Sequence, residues 1–251
     1  DFDWWLRIFS NVHQFNVIHS SPYECEIFSD VSLTGWGASC GMQRTHGWWS
    51  IEDRALHINA LELKAAFHAL KCFALHLHDC RILLRIDNTT AISYINRFGS
   101  VQYPLLSDLA RDMWKWCEKR HILLFASYIA SIDNVIADAE SRISDTNTEW
   151  SLSEQAFRAV EGVFGPFDID LFASIINAKL DLYVSWFPDP GSWAIDAFTL
   201  SWQSLYFYAF PPFIIIPRIL RKIIDDEATG VLIVPWWPSQ SWFPMFTCLL
   251  Q

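Results

Sequence analysis

The sequence lacks a basic surplus. Its 251 residues hold 18 Lys and Arg against 28 Asp and Glu, a formal net charge of −10. Residues 1–146 carry −4 and residues 147–251 carry −6, so neither half has the positive excess with which general nucleic-acid binders grip phosphate. A nucleic-acid function would need metal ions or another domain to offset the repulsion. Long apolar runs are missing as well. The longest, 205–217, is interrupted by Pro211 and Pro212 and falls short of the roughly 20 apolar residues that span a bilayer, so no membrane association is expected. The chain opens at Asp1 without a basic stretch leading into an apolar one. This reads as no secretory signal, with a start cut from something longer. The cysteines at 25, 40, 72, 80, 117 and 248 show no CxxC spacing and no Cys–His pattern of a zinc site. Buried free thiols in a reducing intracellular compartment, cytoplasm or nucleus, are the expectation. Internal repeats and low-complexity tracts are absent.

What is present is a folded chain. Hydrophobic residues make up 52% and aromatics 16%, with 14 Trp and 19 Phe, so large cores or stacking surfaces are expected. Residues 1–21 read as an arm or the end of a preceding domain. Strands are predicted at 24–31, 36–42 and 45–50, and a helix opens at Asn59, where Ala60, Leu63, Phe67, Leu70 and Ala74 recur at helical spacing. A compact apolar strand follows at 81–86, then helices at 88–98 (ended by Gly99) and 103–119, a strand at 121–129 and a short helix at 133–142. An antiparallel meander followed by βαβ crossovers predicts an α/β fold, a mixed sheet with flanking helices. The polar stretch 144–149 is expected to divide a domain at 22–146 from a smaller α/β unit at 147–251. In that unit we predict helices at 151–163 and 214–226, and strands at 167–171, 206–210 and 231–235.

Four acidic residues fall where this order would gather them. Asp30 follows the first strand, Asp87 ends the fourth, Glu62 lies in the first turn of the helix between them, and Asp138 is in the helix after the fifth strand. Crowded carboxylates repel unless a cation sits among them, and two Mg²⁺ ions are the usual remedy in phosphodiester chemistry. Each residue also has an ordinary alternative. Asn59-x-x-Glu62 is a capping box, Asp87 could cap the helix beginning at Asn88, Asp30 could be a turn residue, and Asp138 a solvated helix residue.

The segments IFSDVSLTGWGA (27–38), INALELKAAFHAL (58–70), LLRIDNTTAISYIN (83–96) and NVIADAESR (134–142) together resemble ribonuclease H. More particularly they resemble the ribonuclease H domain of DIRS-type retrotransposons, which encode a tyrosine recombinase. The resemblance implies a ribonuclease H-like mixed five-stranded sheet. It also implies that Asp30, Glu62, Asp87 and Asp138 are at once the catalytic residues and the ligands of two Mg²⁺ ions, with Mn²⁺ an alternative. The implied activity is cleavage of the RNA strand of RNA–DNA hybrids during reverse transcription, with an upstream reverse transcriptase domain as partner. One departure stands out. Family members often carry a His in the loop before the last Asp, and here that loop (127–133, SYIASID) has none. Tyr128 is a candidate substitute, whereas His121 lies at the far end of the strand. His68, His76 and His78 read as packing or helix-end residues.

Farther on, FDIDLFASIINAKLDLYVS (167–185), AFPPFIIIPRILRKI (209–223) and VLIVPWWP (231–238) resemble phage-type DNA adenine-N6 methyltransferases. The resemblance implies a Rossmann-like methylase unit whose Asp/Asn-Pro-Pro-aromatic motif accepts the adenine amino group. Pro211, Pro212 and Phe213 remain, but Phe210 stands at the accepting position, and no Gly-rich cofactor loop is visible. Asp168 or Asp170 could hold a cofactor ribose, and Asp189 or Asp196 could reach in to replace the lost acceptor. The expectation is an inactive, methylase-like scaffold. Trp236, Trp237, Trp242 and Phe243 suggest an exposed aromatic patch that packs on a neighbouring domain or stacks on single strands. The alternatives to a nuclease are a non-catalytic nucleic-acid or protein docking module and a DNA adenine methyltransferase.

Overall fold

A computed structural model describes residues 22–143 and 150–250 together with Phe2 and Leu6. The expected N-terminal arm and the boundary at 144–149 lie outside the described residues. The first sheet has five strands in the order β3-β2-β1-β4-β5. Strands β1 (Cys25–Val31), β2 (Gly35–Cys40) and β3 (Gln43–Trp48) form the antiparallel meander, while β4 (Arg81–Ile86) and β5 (Leu123–Tyr128) add in parallel beside β1. The mixed five-stranded sheet with flanking helices is the architecture the sequence predicts for this stretch.

The helices are α1 (Ile58–Phe73), α2 (Thr89–Asn96), α3 (Pro104–Glu118) and α4 (Val135–Ser141). One face of the sheet presents Ile27, Ile82, Leu84 and Ile86, all fully buried, to the apolar stripes of α1 to α3. The alanines of α1 (Ala65, Ala66 and Ala69, each 0% exposed) let that helix settle close to the sheet. On the other side, α4 presses on the meander so closely that a Cβ on Gly37 would lie 2.3 Å from the Ala137 carbonyl oxygen and the Ser141 nitrogen. Only glycine fits there.

Residues 150–250 build separate apolar clusters around Trp202, Phe207 and Ile219, around Trp242 and Phe243, and around Phe157 and Tyr208. Helix α5 (Glu154–Phe164) leads to a three-stranded parallel sheet, β10-β9-β6, made of Gly230–Leu232, Phe207–Ala209 and Ile169–Asp170. These strands are shorter than predicted. The region also contains a two-residue parallel pair, β7 (Val184–Ser185) with β8 (Ala194–Ile195), and, after α6 (Ile216–Asp225), helix α7 (Phe243–Cys248); none of β7, β8 and α7 is anticipated above. Trp236 is 71% exposed, but Trp242 and Phe243, at the start of α7, are buried in a cluster with Ile216 and Leu220 of α6, so the expected aromatic patch is half core. The thiols also differ from expectation: Cys117 is buried, Cys248 is exposed and the other four are intermediate. Among the described residues no helix is long and apolar enough to cross a membrane.

Candidate active site

The parallel register of β1 and β4 decides where two of the four acids stand. Cys25 pairs with Ile82 and Phe28 with Arg85. The same offset carries Asp30 level with Asp87, just past the end of β4. Asp30 is an interior strand residue opposite Gly37 and not a turn residue; the turn that follows is made by Ser32, whose hydroxyl accepts from Gly35 N at 3.0 Å. Asp87 is not a cap either, because Asn88 caps α2 by accepting from Ala91 N at 2.9 Å.

Glu62 is freed from its capping role by a shift in the helix start. Helix α1 begins at Ile58 with His57 as its cap, its Nδ1 accepting from Asn59 N. The Asn59 side chain is turned to Asn88, whose Nδ2 donates to it at 3.0 Å. Glu62 is thus left 4% exposed on the face of α1 that meets the sheet, with its Oε2 buried and unpartnered. Burial pushes its carboxyl up to about 9, and the negative charges of Asp87 and then Asp30, with a hydrogen bond to Asp87, add to the shift. Asp30 is raised to about 6, first by burial, against a hydrogen bond from Ser141, and further by Asp87 and Asp138. Asp30 is thus within electrostatic reach of the other three carboxyls.

Each of the other acids is held by a neighbour. Ser141 Oγ donates to Asp30 Oδ2 at 2.8 Å. Ser131 Oγ donates to Asp87 Oδ2 at 2.5 Å. Asp138, in the first turn of α4, is clasped by Arg142 one turn on, through Nε at 2.9 Å and through Nη2. Ser131, Ser141 and Arg142 carry no role in the sequence reading. Ser141 and Arg142 fall three and four residues after Asp138, the spacing that puts side chains on one helix face. Ser131 lies in the loop where the histidine is missing, and it brings a hydroxyl to Asp87 there. Tyr128 is 55% exposed. His68 is buried between Trp36 and Trp49, and burial takes it down to about 3, so it is a packing residue.

A divalent cation is what the resemblance implies at this site. Among the described residues no group of three or more His, Cys, Asp or Glu side chains is arranged to hold a metal ion as it stands; Asp138 turned onto Arg142 is one physical reason. The donor chemistry fits a hard cation all the same. The cluster offers carboxylate oxygens, Asp30 and Glu62 are raised by their acidic neighbours in spite of Arg142, and Glu62 Oε2 is buried without a hydrogen-bond partner.

In the second region the acids are spoken for. Asp168 accepts from Tyr206 N at 2.8 Å and Asp170 from Lys179 N at 3.1 Å. Asp189 accepts from Tyr183 Oη at 2.5 Å, and Asp196 from Phe198 N at 3.0 Å. Phe210 packs beside Phe213, ring centroids 6.3 Å apart.

No protein-family model matches the chain, and no curated protein matches it. Several solved structures are similar over a little under half of its length. Three of them are RNase H1 from the halophilic archaeon Halobacterium salinarum NRC-1 (16% identity, 46% of this chain and 92% of that one, TM-score 0.38), LC11-RNase H1 in complex with an RNA/DNA hybrid (17%, 47% and 93%, TM-score 0.40), and the N-terminal RNase H domain of rv2228c from Mycobacterium tuberculosis (12%, 46% and 95%, TM-score 0.33). Likeness at this level leaves the function to be argued from the residues themselves.

Proposed function

We propose that the first region is a metal-dependent endonuclease that cleaves the RNA strand of RNA–DNA hybrids, and that it serves reverse transcription in a DIRS-type retrotransposon beside an upstream reverse transcriptase. The observation that carries this reading is the buried, unpartnered Glu62 oxygen beside Asp30 and Asp87, with Glu62 and Asp30 both pushed up by burial and by their acidic neighbours. A buried carboxyl oxygen without a partner is costly, and a cation would give it one. Asp30, Glu62, Asp87 and Asp138 would hold Mg²⁺ or Mn²⁺, which when bound supplies Lewis-acid activation of water and charge neutralisation at the leaving oxygen. The chain's own groups prepare the site. Ser141 orients Asp30, Ser131 orients Asp87, and Glu62 holds a proton at neutral pH that the cation must displace. The acidic net charge fits a fragment whose grip on the hybrid comes from a neighbouring polymerase. The test is Mg²⁺-dependent cleavage of a labelled hybrid by the full chain, compared with its Asp30→Asn variant.

For residues 147–251 the reading is an inactive, methylase-like scaffold. Its support is Phe210, which offers hydrocarbon where an amino group would need an acceptor, and the engagement of Asp189 and Asp196 in local hydrogen bonds.

A further inference from the structure

Helix α4 is seven residues long, too short to hold its shape without tertiary support. Its own residues tie it to the sheet. Asn134 Nδ2 donates to the Ser29 carbonyl at 3.0 Å, Ser32 Oγ to the Ser141 carbonyl at 2.6 Å, and Trp48 Nε1 to the Ile143 carbonyl at 3.2 Å. One further tie has a different character. Glu140, two residues after Asp138 and 8% exposed, directs its carboxylate to β3, where His46 Nδ1 lies 2.9 Å from Oε2 and Arg44 Nη1 3.7 Å from Oε1. A buried carboxylate that loses its partner is strongly destabilising, so the position of the His46 ring bears directly on α4.

The other side of that ring belongs to the second region. Phe187 packs on His46 with ring centroids 5.3 Å apart, and the adjacent Thr45 hydroxyl donates to the Pro188 carbonyl at 2.5 Å. The junction is otherwise loosely filled: a cavity of about 430 Å³ opens beside these contacts, lined by residues of both regions, including His46, Trp48, Phe187 and Ile143. The regions therefore meet here through a few specific contacts, and these lead through one imidazole to the helix that bears Asp138. We propose that His46 is a positioning residue through which the second region, by Phe187 and Pro188, holds α4 and Asp138 in their working place. The scaffold half thereby sets the turnover of the nuclease half.

The role in turnover rests on the nuclease reading; the mechanical coupling does not, and the experiment separates them. In the full chain, amide hydrogen exchange is followed across α4, with α1 as internal reference, and kcat and KM are measured on a labelled hybrid. His46→Ala and Phe187→Ala should each speed exchange in α4 at least tenfold with α1 unchanged, and lower kcat about tenfold at constant KM. His46→Asn, whose side-chain amide can donate from the place of Nδ1, should restore most of both. General destabilisation would instead speed exchange in α1 as well and would gain nothing from Asn. Should Phe187→Ala unfold the second region, seen as lost protection in β9, Thr45→Val takes its place, with about threefold effects in the same direction. Exchange in α4 within twofold of wild type in the folded junction variant would overturn the proposal. If the wild-type chain cuts no hybrid, the nuclease reading falls and the exchange data still decide the coupling.

Discussion

Buried carboxylates occur in both regions of the chain, and their surroundings differ. Asp170 is 3% exposed and, like Asp30, is a buried strand acid, but its carboxylate accepts a hydrogen bond from the backbone amide of Lys179. Asp189 is closed by Tyr183 and by the Ile175 N–H. In the first region Glu62 has no partner for one buried oxygen, and its nearest charged neighbours are like-signed. An acid that satisfies its own backbone is architecture; an acid left facing other acids is a site waiting for a cation. The contrast supports the proposal that the chemistry lies in the first region.

The largest expected effect comes from breaking the first-region cluster. Asp30→Asn and Asp87→Asn should each lower hybrid cleavage at least a hundredfold at saturating Mg²⁺, with the fold kept, since removing a like charge relieves repulsion. A gel assay with circular dichroism as control checks this, and activity above about a tenth of wild type in either variant counts against the assignment.

Glu62→Gln sharpens the contrast because it separates charge from shape. Cleavage should fall sharply. The stability effect depends on pH, and its sign follows from the raised carboxyl. Protonated Glu62 is favoured in the folded chain, so its contribution is complete below the ordinary value of 4.5 and is lost as pH climbs through about 9. Wild type should therefore lose stability between those limits, while the Gln variant loses less and is the more stable of the two near pH 9. Urea titrations at pH 5 and pH 9 test this. An equal pH dependence in both chains would mean that Glu62 is not protonated in the fold.

In the second region, Asp170→Ala should cost about 1–3 kcal/mol by leaving the Lys179 amide without its acceptor, with hybrid cleavage unchanged. A loss of cleavage at matched stability would break the division of labour. The smallest expected signal is none: no methyl transfer from S-adenosylmethionine to adenine in duplex or single-stranded DNA, by the chain or by its Phe210→Asn variant. Incorporated label would show that a cofactor site survives.

The order β1 to β5 with its helices was legible because each element is long enough to show a period. The compact apolar run of β4, buried from Ile82 to Leu84, and the apolar stripe of α1 leave little choice. The two-residue strands β7 and β8 carry no period at all, and they lie in a stretch punctuated by Pro188 and Pro190. Likewise Trp242 and Phe243 cannot be told from Trp236 by composition, since what buries them is their packing with Ile216 and Leu220, distant in the chain. At the site, Asp30 and Asp87 followed from strand ends and parallel register. The isolation of Glu62 did not, because Asn59-x-x-Glu62 reads as a capping box until Asn88 draws the Asn59 side chain away. The hydroxyl partners Ser131 and Ser141 were hidden for a related reason. A hydroxyl's role depends on what faces it across more than 40 residues of intervening chain, and here that is Asp87 for one and Asp30 for the other.

The central claim is that the four carboxyls form a cation-dependent site for hybrid cleavage. Its most direct test is incubation of the full chain with an RNA–DNA hybrid labelled on each strand in turn, with Mg²⁺ or Mn²⁺ and with chelator, between pH 7 and pH 9. The account predicts that the RNA strand is cut and the DNA strand is not, that chelation stops the reaction, and that the rate rises toward pH 9 as Glu62 gives up its proton more readily. An intact RNA strand with either ion across that range, or cleavage that persists in Asp30→Asn, would contradict it.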